Sequence, residues 1–411
     1  MFGVISVISN PAAWGKENLL GGAEIKAVNI LKRWHSYGVH VHTLETYPSI
    51  SKLMGANYDV HTVCLPIRLR GIIPVLLMMP ILFLKFISKL PAIDPRQIDA
   101  VIASTSNLSD VAPAWFISKV LRKPLIVAFT IVAYATSASV LYRKMKEARE
   151  EPGIIDSLLI TLSSLIMLKL SKSAFLVFAL SEPVAEVLRA LGFPNEKLYI
   201  TGVGLEHDQI DESPEGQKEY DGVFLGRVVK SKGVEDLINA WNIVVKSKPY
   251  ARLLVIGSGS FMEKARRLIA HLGIENNVKF TGFVRTAKRF SYLKASKIFI
   301  FPSKFEGWAL AVAEALACGL SVVCYEIPVF KKNFKECESV LMVQLGDTRE
   351  LADAILRLLD DEEALRRNSE ISKKFARKFD WDQIARFELE AIKTHLTKAG
   401  VNEPSIKIHK A

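Results

Sequence analysis

Short, mainly apolar runs recur along this chain, and nearly every one leads through a loop into a stretch with helical spacing. Gly3–Ile8, Val39–Leu44, Ala100–Ala103, Leu125–Ala128, Phe175–Ala179 and Leu198–Ile200 form one series. Gly222–Leu225, Arg252–Ile256, Val278–Phe283, Lys297–Phe301 and Leu320–Tyr325 form a second, with a weaker run at Ser339–Val343. A strand that is apolar on both faces needs covering on both sides, so strands alternating with helices argue for parallel, doubly wound sheets. At 411 residues the chain exceeds the size at which a single core stops growing, and the polar run Asp211–Glu219 falls between the two series. We therefore expect an α/β chain of two domains, 1–205 and 220–378, with the boundary near Gly202–Glu219. A capped helix start at Asp380-Trp381-Asp382 opens a terminal helix over 379–396, and 397–411 reads as a frayed tail.

The most informative local stretch runs from Ser303 to Gly319. The apolar run Ile298–Phe301 leads into a loop, then helix formers from Trp308 to Ala317, a Gly319 stop, and a new strand at Leu320. In an open α/β sheet such a loop emerges at the carboxyl edge, where ligands bind. Glu306 lies in the loop and Glu314 eight positions on, about 12 Å along a helix axis at ~1.5 Å per residue. Two readings stay open. The pair addresses two ends of one extended ligand, or Glu306 caps the helix while Glu314 lies on a solvated face.

Three further corners share this design. Phe224–Leu237 reads as strand, basic loop and helix, with Gly226, Arg227, Lys232 and Gly233 in the loop. A diphosphate needs fixed cations and free backbone N–H groups, which such a loop supplies. The bland alternative is solvated surface charge. Gly21-Gly22-Ala23-Glu24 precedes an amphipathic helix reaching Trp34, and Gly257-Ser258-Gly259 follows another strand. Both glycine turns are weak signals alone, and the second lacks the longer dinucleotide fingerprint.

Taken together, Glu306-x7-Glu314 followed by Ala-x-Ala-Cys-Gly, Gly226-Arg227 with Lys232-Gly233, and Gly21-Gly22-Ala23-Glu24 resemble the retaining nucleotide-sugar glycosyltransferases of the GT-B fold, family four. The resemblance implies two Rossmann-like domains facing a cleft, with the terminal helix crossing back to the first. It implies a hexose-type sugar moved from a nucleoside diphosphate donor without a metal or cofactor. Glu306 would lie near the anomeric centre, and Arg227 and Lys232 would hold the diphosphate. Gly21, Gly22 and Gly226 would face phosphate. Backbone at Gly307, Trp308, Ala309 and Leu310 would contact phosphate and sugar, and Glu314 the ribose. Retention would follow a same-face route in which the leaving phosphate helps deprotonate the acceptor.

The pattern has departures. Family members carry a histidine soon after the strand matching Leu125–Ala128, but Val127–Tyr134 contains none, and neither Thr130 nor Tyr134 aligns to its role. Ala309 and Ala311 replace a common glycine and proline. His40 and His42 alternate in a strand and read as structural. A catalytically silent subunit of the same fold therefore stands beside the glycosyltransferase reading, as does a sugar-nucleotide epimerase, which shares the architecture.

Charge and composition narrow the partners. Net charge is +11, and Pro66–Lys146 holds eleven Lys and Arg against three Asp and Glu. No zinc-finger spacing, RNP-like motif or basic heptad helix accompanies it, which argues against nucleic acid. Within 66–90, Gly71–Ile87 is strongly apolar but short for a span and interrupted by Pro74, Pro80 and Lys85. An interfacial segment with Leu76, Leu77, Leu82 and Phe83 on the membrane is the preferred reading, ahead of core or oligomer packing. The expected acceptor is a glycan, a lipid-linked sugar or another small molecule. Cys64, Cys318, Cys324 and Cys337 show no metal-like spacing, and Met1–Ile8 reads as a strand with no leader before it. A peripheral protein on the cytoplasmic membrane face is expected.

Overall fold

The computed structural model describes residues 2–9, 21–47, 49–64, 72–130, 154–284 and 286–400. They divide into two compact units. The first holds the described residues up to Gly204 and those from Trp381 on, while the second holds those from Leu205 to Asp380. The polar run taken as a linker is therefore built into the second unit. Lys294 donates to the Ser213 carbonyl at 2.7 Å, and Arg377 pairs with Asp211 at 2.9 Å.

The first unit is assembled from β1 (Gly3–Ile8), α1 (Gly22–Ser36), β2 (His40–Thr46), α2 (Ile50–Leu53), β3 (Asp59–Val63), α3 (Ile72–Ile87), β4 (Ala100–Ala103), α4 (Leu108–Leu121), β5 (Leu125–Phe129), α5 (Ile154–Ser171), β6 (Leu176–Ala179), α6 (Glu182–Ala190) and β7 (Leu198–Ile200). Its seven strands are all parallel, in the order β3-β2-β1-β4-β5-β6-β7. The strands β4, β5 and β6 are apolar throughout because both faces are covered. One core layer joins Leu82 and Phe86 of α3, Val111 and Ile117 of α4, Met167 and Leu168 of α5 and Leu188 of α6 to the sheet. The polar edge strand β3 escaped the sequence reading because only Val63 in it is buried.

Leu82 was expected on a membrane, yet it is fully buried in that layer. A helix apolar all round gives no periodic cue to its covered face, and here Leu82 and Phe86, four apart, point inward while Leu84 stands 65% exposed. Phe83 is also engaged, edge-on against Phe116 of α4. The side chains of Leu76 and Leu77, with Gly71 and the basic residues before it, lie outside the described residues.

The second unit continues with α7 (His207–Asp211), β8 (Tyr220–Leu225), α8 (Val234–Ser247), β9 (Leu253–Ile256), α9 (Met262–Leu272), β10 (Val278–Gly282), α10 (Thr286–Lys294), β11 (Ser296–Phe301), α11 (Leu310–Ala317), β12 (Ser321–Tyr325), α12 (Pro328–Phe334), β13 (Val340–Val343), α13 (Thr348–Asp360) and α14 (Glu362–Ala376). Its six parallel strands run β10-β9-β8-β11-β12-β13. In each sheet the order reverses beside the first strand, at β1/β4 and β8/β11, so the carboxyl ends of those strands open the natural ligand crevice.

The last helix, α15 (Trp381–Lys398), belongs to the first unit and packs on α1. The Trp34 indole N–H donates to the Ala385 carbonyl at 2.8 Å, Lys26 pairs with Glu388 at 2.8 Å, and Tyr37 donates to Asp382 at 2.6 Å. The helix runs two residues beyond the expected 396, and 401–411 lie outside the described residues.

Candidate active site

In the second unit two loops meet at the carboxyl edge of β8 and β11. After β8 the backbone passes Gly226 and Arg227, then makes a single tight turn over Lys230–Lys232. Gly233 closes that turn at φ +68° and starts α8, and a Cβ there would lie 1.9 Å from the Pro302 carbonyl oxygen. Only glycine satisfies both the left-handed geometry and this approach. The loop after β11 is thereby clasped against the basic loop. The Lys304 amide donates to the Ser231 carbonyl at 3.0 Å, and Ser303, fully buried, donates to the Phe305 carbonyl at 3.2 Å.

This clasp brings Lys232 and Glu306 into a direct ion pair, with side chains 15% and 8% exposed. Burial makes each charge depend on the other, since an unpaired buried ion is costly. The Lys232 ammonium also sits 5.6 Å above the Phe301 ring. Arg227 stands exposed on the same loop, with no carboxylate in ion-pair range among the described residues. The site thus holds one cation spent on a carboxylate and one open to solvent.

Glu314 is not on a solvated face. It is 6% exposed on α11, and Arg289 of α10 grips it with two hydrogen bonds, Nη2 to Oε1 at 2.6 Å and Nε to Oε2 at 3.2 Å. Such a side-on fork occupies one lone pair of each carboxylate oxygen and leaves the outer one for other donors. Arg289 was missed by the sequence reading. Its one available signal was the need of a buried carboxylate for a counter-charge, with Lys288-Arg289 just beyond β10.

The glycine turn after β9 packs directly on this site. Gly257, at φ +139°, would place a Cβ 1.9 Å from the Gly226 carbonyl oxygen, and the Val228 amide donates to Ser258 at 3.0 Å. Trp308, expected among the ligand-contacting residues, turns its ring into the core, edge-on to Phe379 at 4.9 Å and Phe334 at 5.5 Å. Its backbone alone, with that of Gly307, Ala309 and Leu310, borders the corner. Ala309 carries the left-handed conformation, φ 79° and ψ 63°, at the start of α11. That geometry explains why the resembled family prefers glycine there.

Residues 206–375, which contain all of these groups, match the model of the family described as glycosyl transferases group 1. The match covers 170 of the 411 residues. Among similar curated proteins, the poly(glycerol-phosphate) alpha-glucosyltransferase of Bacillus subtilis is 28% identical over 201 residues, 46% of this chain and 29% of its own length. A GDP-mannose-dependent phosphatidylinositol monomannoside mannosyltransferase of Corynebacterium glutamicum is 31% identical over 33% of this chain and 36% of its own. The chain thus spans half or less of the length of these relatives. A crystal structure of Anabaena Alr3699/HepE with UDP and glucose superposes with a TM-score of 0.73 at 18% identity, covering 95% of this chain and 99% of that one. Sucrose-phosphate synthase from Thermosynechococcus elongatus gives 0.74 at 19% identity, over 97% and 99%. The fold shared with these proteins is GT-B.

Outside the group 1 segment, Gly21 caps α1 and the Glu24 carboxylate folds back over it, while Gly22 is exposed with open space around its Cα. Nearby, at the β1/β4 crevice, lies a polar cluster that the sequence reading overlooked. Asp110, fully buried at the start of α4, accepts from the Ser9 amide at 2.8 Å, the Ser9 hydroxyl, and the Thr105 hydroxyl at 2.7 Å. Burial pushes its carboxyl up to about 7, while those hydrogen bonds act the other way. Thr130 follows β5, and Tyr134 lies outside the described residues. His42 is structural, stacked 5.6 Å from His61 and kept below the usual histidine range chiefly by burial.

Proposed function

We propose that this protein is a retaining glycosyltransferase that moves a hexose-type sugar from a nucleoside diphosphate donor to an amphiphilic acceptor, such as a lipid-linked sugar, at the cytoplasmic face of a membrane. The observation that carries the reading is the Lys232–Glu306 pair beside an open Arg227, with Glu314 fixed one turn into α11. An arriving diphosphate offers Lys232 a stronger partner than one carboxylate and adds Arg227 to the same anion. Glu306 is then freed toward the sugar, and the outer oxygens of Glu314 accept from a ribose diol. In transfer, the bond from the anomeric carbon to the β-phosphate oxygen breaks and one to the acceptor oxygen forms on the same face. The acceptor proton passes to the departing phosphate, whose charge Arg227 and Lys232 carry in place of a metal.

UDP is the first nucleotide to try, because HepE has been crystallised with UDP and with UDP-glucose. Thermal unfolding of wild type and Lys232→Ala with UDP, GDP, ADP and dTDP is the test, since a ligand at ~100 times its Kd stabilises by ~2.7 kcal/mol. One nucleotide should shift wild type and not the variant, and the matching sugar nucleotide should turn over with retained anomeric configuration. The missing histidine in 127–134 favours a second reading, a silent subunit of the same fold. A nucleotide shift without turnover on any acceptor would select it, and no shift at all would sink the donor site.

A further inference from the structure

The outer face of the helix layer in the first unit carries the largest cluster of exposed apolar side chains among the described residues. On α5, Leu158, Leu162, Leu165 and Ile166 are 67%, 52%, 55% and 42% exposed. Their spacing of four, seven and eight residues places them along one stripe, while Met167 and Leu168 on the opposite side lie in the core. On the neighbouring α3, which also touches α5, Leu84 and Ile81 add to the same outer surface. Isolated exposed leucines need no explanation, but six on two adjoining helices form a patch that water disfavours.

Among the described residues the charges beside the stripe are of one sign, and the one acid on α5, Asp156, precedes the stripe with its side chain outside the described residues. Lys169 lies eleven residues after Leu158 and so ends the stripe on its own face, followed by exposed Lys172. Lys119 and Arg122 stand exposed at the end of α4, the helix packed against α5. No Asp or Glu occurs from Leu158 to Ser173 or from Ile72 to Lys89, and the one in Leu108–Lys123 is the buried Asp110.

We propose that this face of α5 and α3 docks on an anionic lipid bilayer, with the leucines entering the headgroup boundary and the lysines reaching out to lipid phosphate. This deepens the membrane-face part of the proposed function and is independent of its donor chemistry. A bilayer surface fits better than a second copy of the chain. A two-fold contact would set the described lysines and arginine of one copy against those of the other, whereas anionic headgroups complement them. The helix lies on the surface and does not span. Its inner face is locked into the core, and no helix among the described residues is long and apolar enough to cross a membrane.

The test is flotation of the full chain with vesicles of phosphatidylcholine alone or mixed equally with phosphatidylglycerol, at low and high salt. Wild type should float with the anionic vesicles and less so at high salt. Leu158→Ser with Leu162→Ser and Leu165→Ser, all at exposed positions, should reduce flotation by roughly tenfold or more. Lys169→Glu with Lys172→Glu should remove the salt-sensitive part, and Lys232→Ala should float like wild type. The stripe variant must keep the wild-type melting temperature, and its nucleotide response reports separately on the donor site. Unchanged flotation of a folded stripe variant overturns the proposal. So does a wild-type dimer that the stripe variant converts to monomer while neither floats, since the face would then be a contact between copies.

Discussion

At the scale of single residues, Ala309 and Asp110 each hold a conformation or a protonation state that the surrounding fold imposes. A left-handed Ala309 costs ~1–2 kcal/mol, and a glycine would relieve that while loosening the unfolded chain by ~0.4–1 kcal/mol. Ala309→Gly should therefore stabilise the second unit by up to about 1 kcal/mol, measured by urea unfolding. A loss of stability would show that the site does not strain Ala309. Asp110 has a folded-state proton affinity raised from the ordinary 3.8 to about 7 by burial. The fold thus binds a proton that the unfolded chain releases between those values, so the stabilising contribution is full below about pH 4 and falls as pH rises to about 7. The fall could reach roughly 4 kcal/mol, at about 1.4 kcal/mol for each tenfold change in proton affinity. Asp110→Asn should flatten this part of the stability profile, leaving wild type and variant diverging with pH across that window and parallel above it.

At the scale of elements, the contact of α15 with α1 depends on a buried charge pair, Lys26 and Glu388, both about one-twentieth exposed. Lys26 also donates to Thr201 just after β7, so one ammonium links a helix of the first crossover, a strand end and the final helix. Removing it strands a buried carboxylate, and Lys26→Ala should cost ~3–5 kcal/mol. Replacing both partners together, Lys26→Met with Glu388→Leu, should cost far less, because two well-packed apolar groups need no mutual neutralisation. A double variant as unstable as the single one would show that the pair does more than satisfy itself. Urea unfolding followed by circular dichroism measures both costs.

At the scale of the whole molecule, the chain leaves its first unit at Gly204, builds the second, and returns at Trp381 to complete the first. A stop after Asp380 would uncover the α1 face that holds Trp34 and Lys26 while leaving the second sheet and the Lys232–Glu306 pair untouched. Calorimetry of this truncation should show one transition lowered or lost and the other kept, together with any nucleotide-dependent shift. Loss of both transitions would mean that the second unit does not fold independently of the first.

The alternation of apolar strands with helices, the two series and the corner around Glu306 were all legible in the chain. Patterns of period two and 3.6 report burial of the elements that carry them, and a loop between a buried strand and a helix can open only at a sheet edge. The partner of each buried charge was not legible. Lys232 and Glu306 are 74 residues apart and Arg289 and Glu314 are 25 apart, so only the parallel ordering β8-β11 and the packing of α10 on that edge bring them together. The covered side of α3 was hidden for a different reason. Where every position is apolar, local periodicity carries no direction, and only packing against α4, α5 and β3 decides that Leu82 turns inward and Leu84 outward.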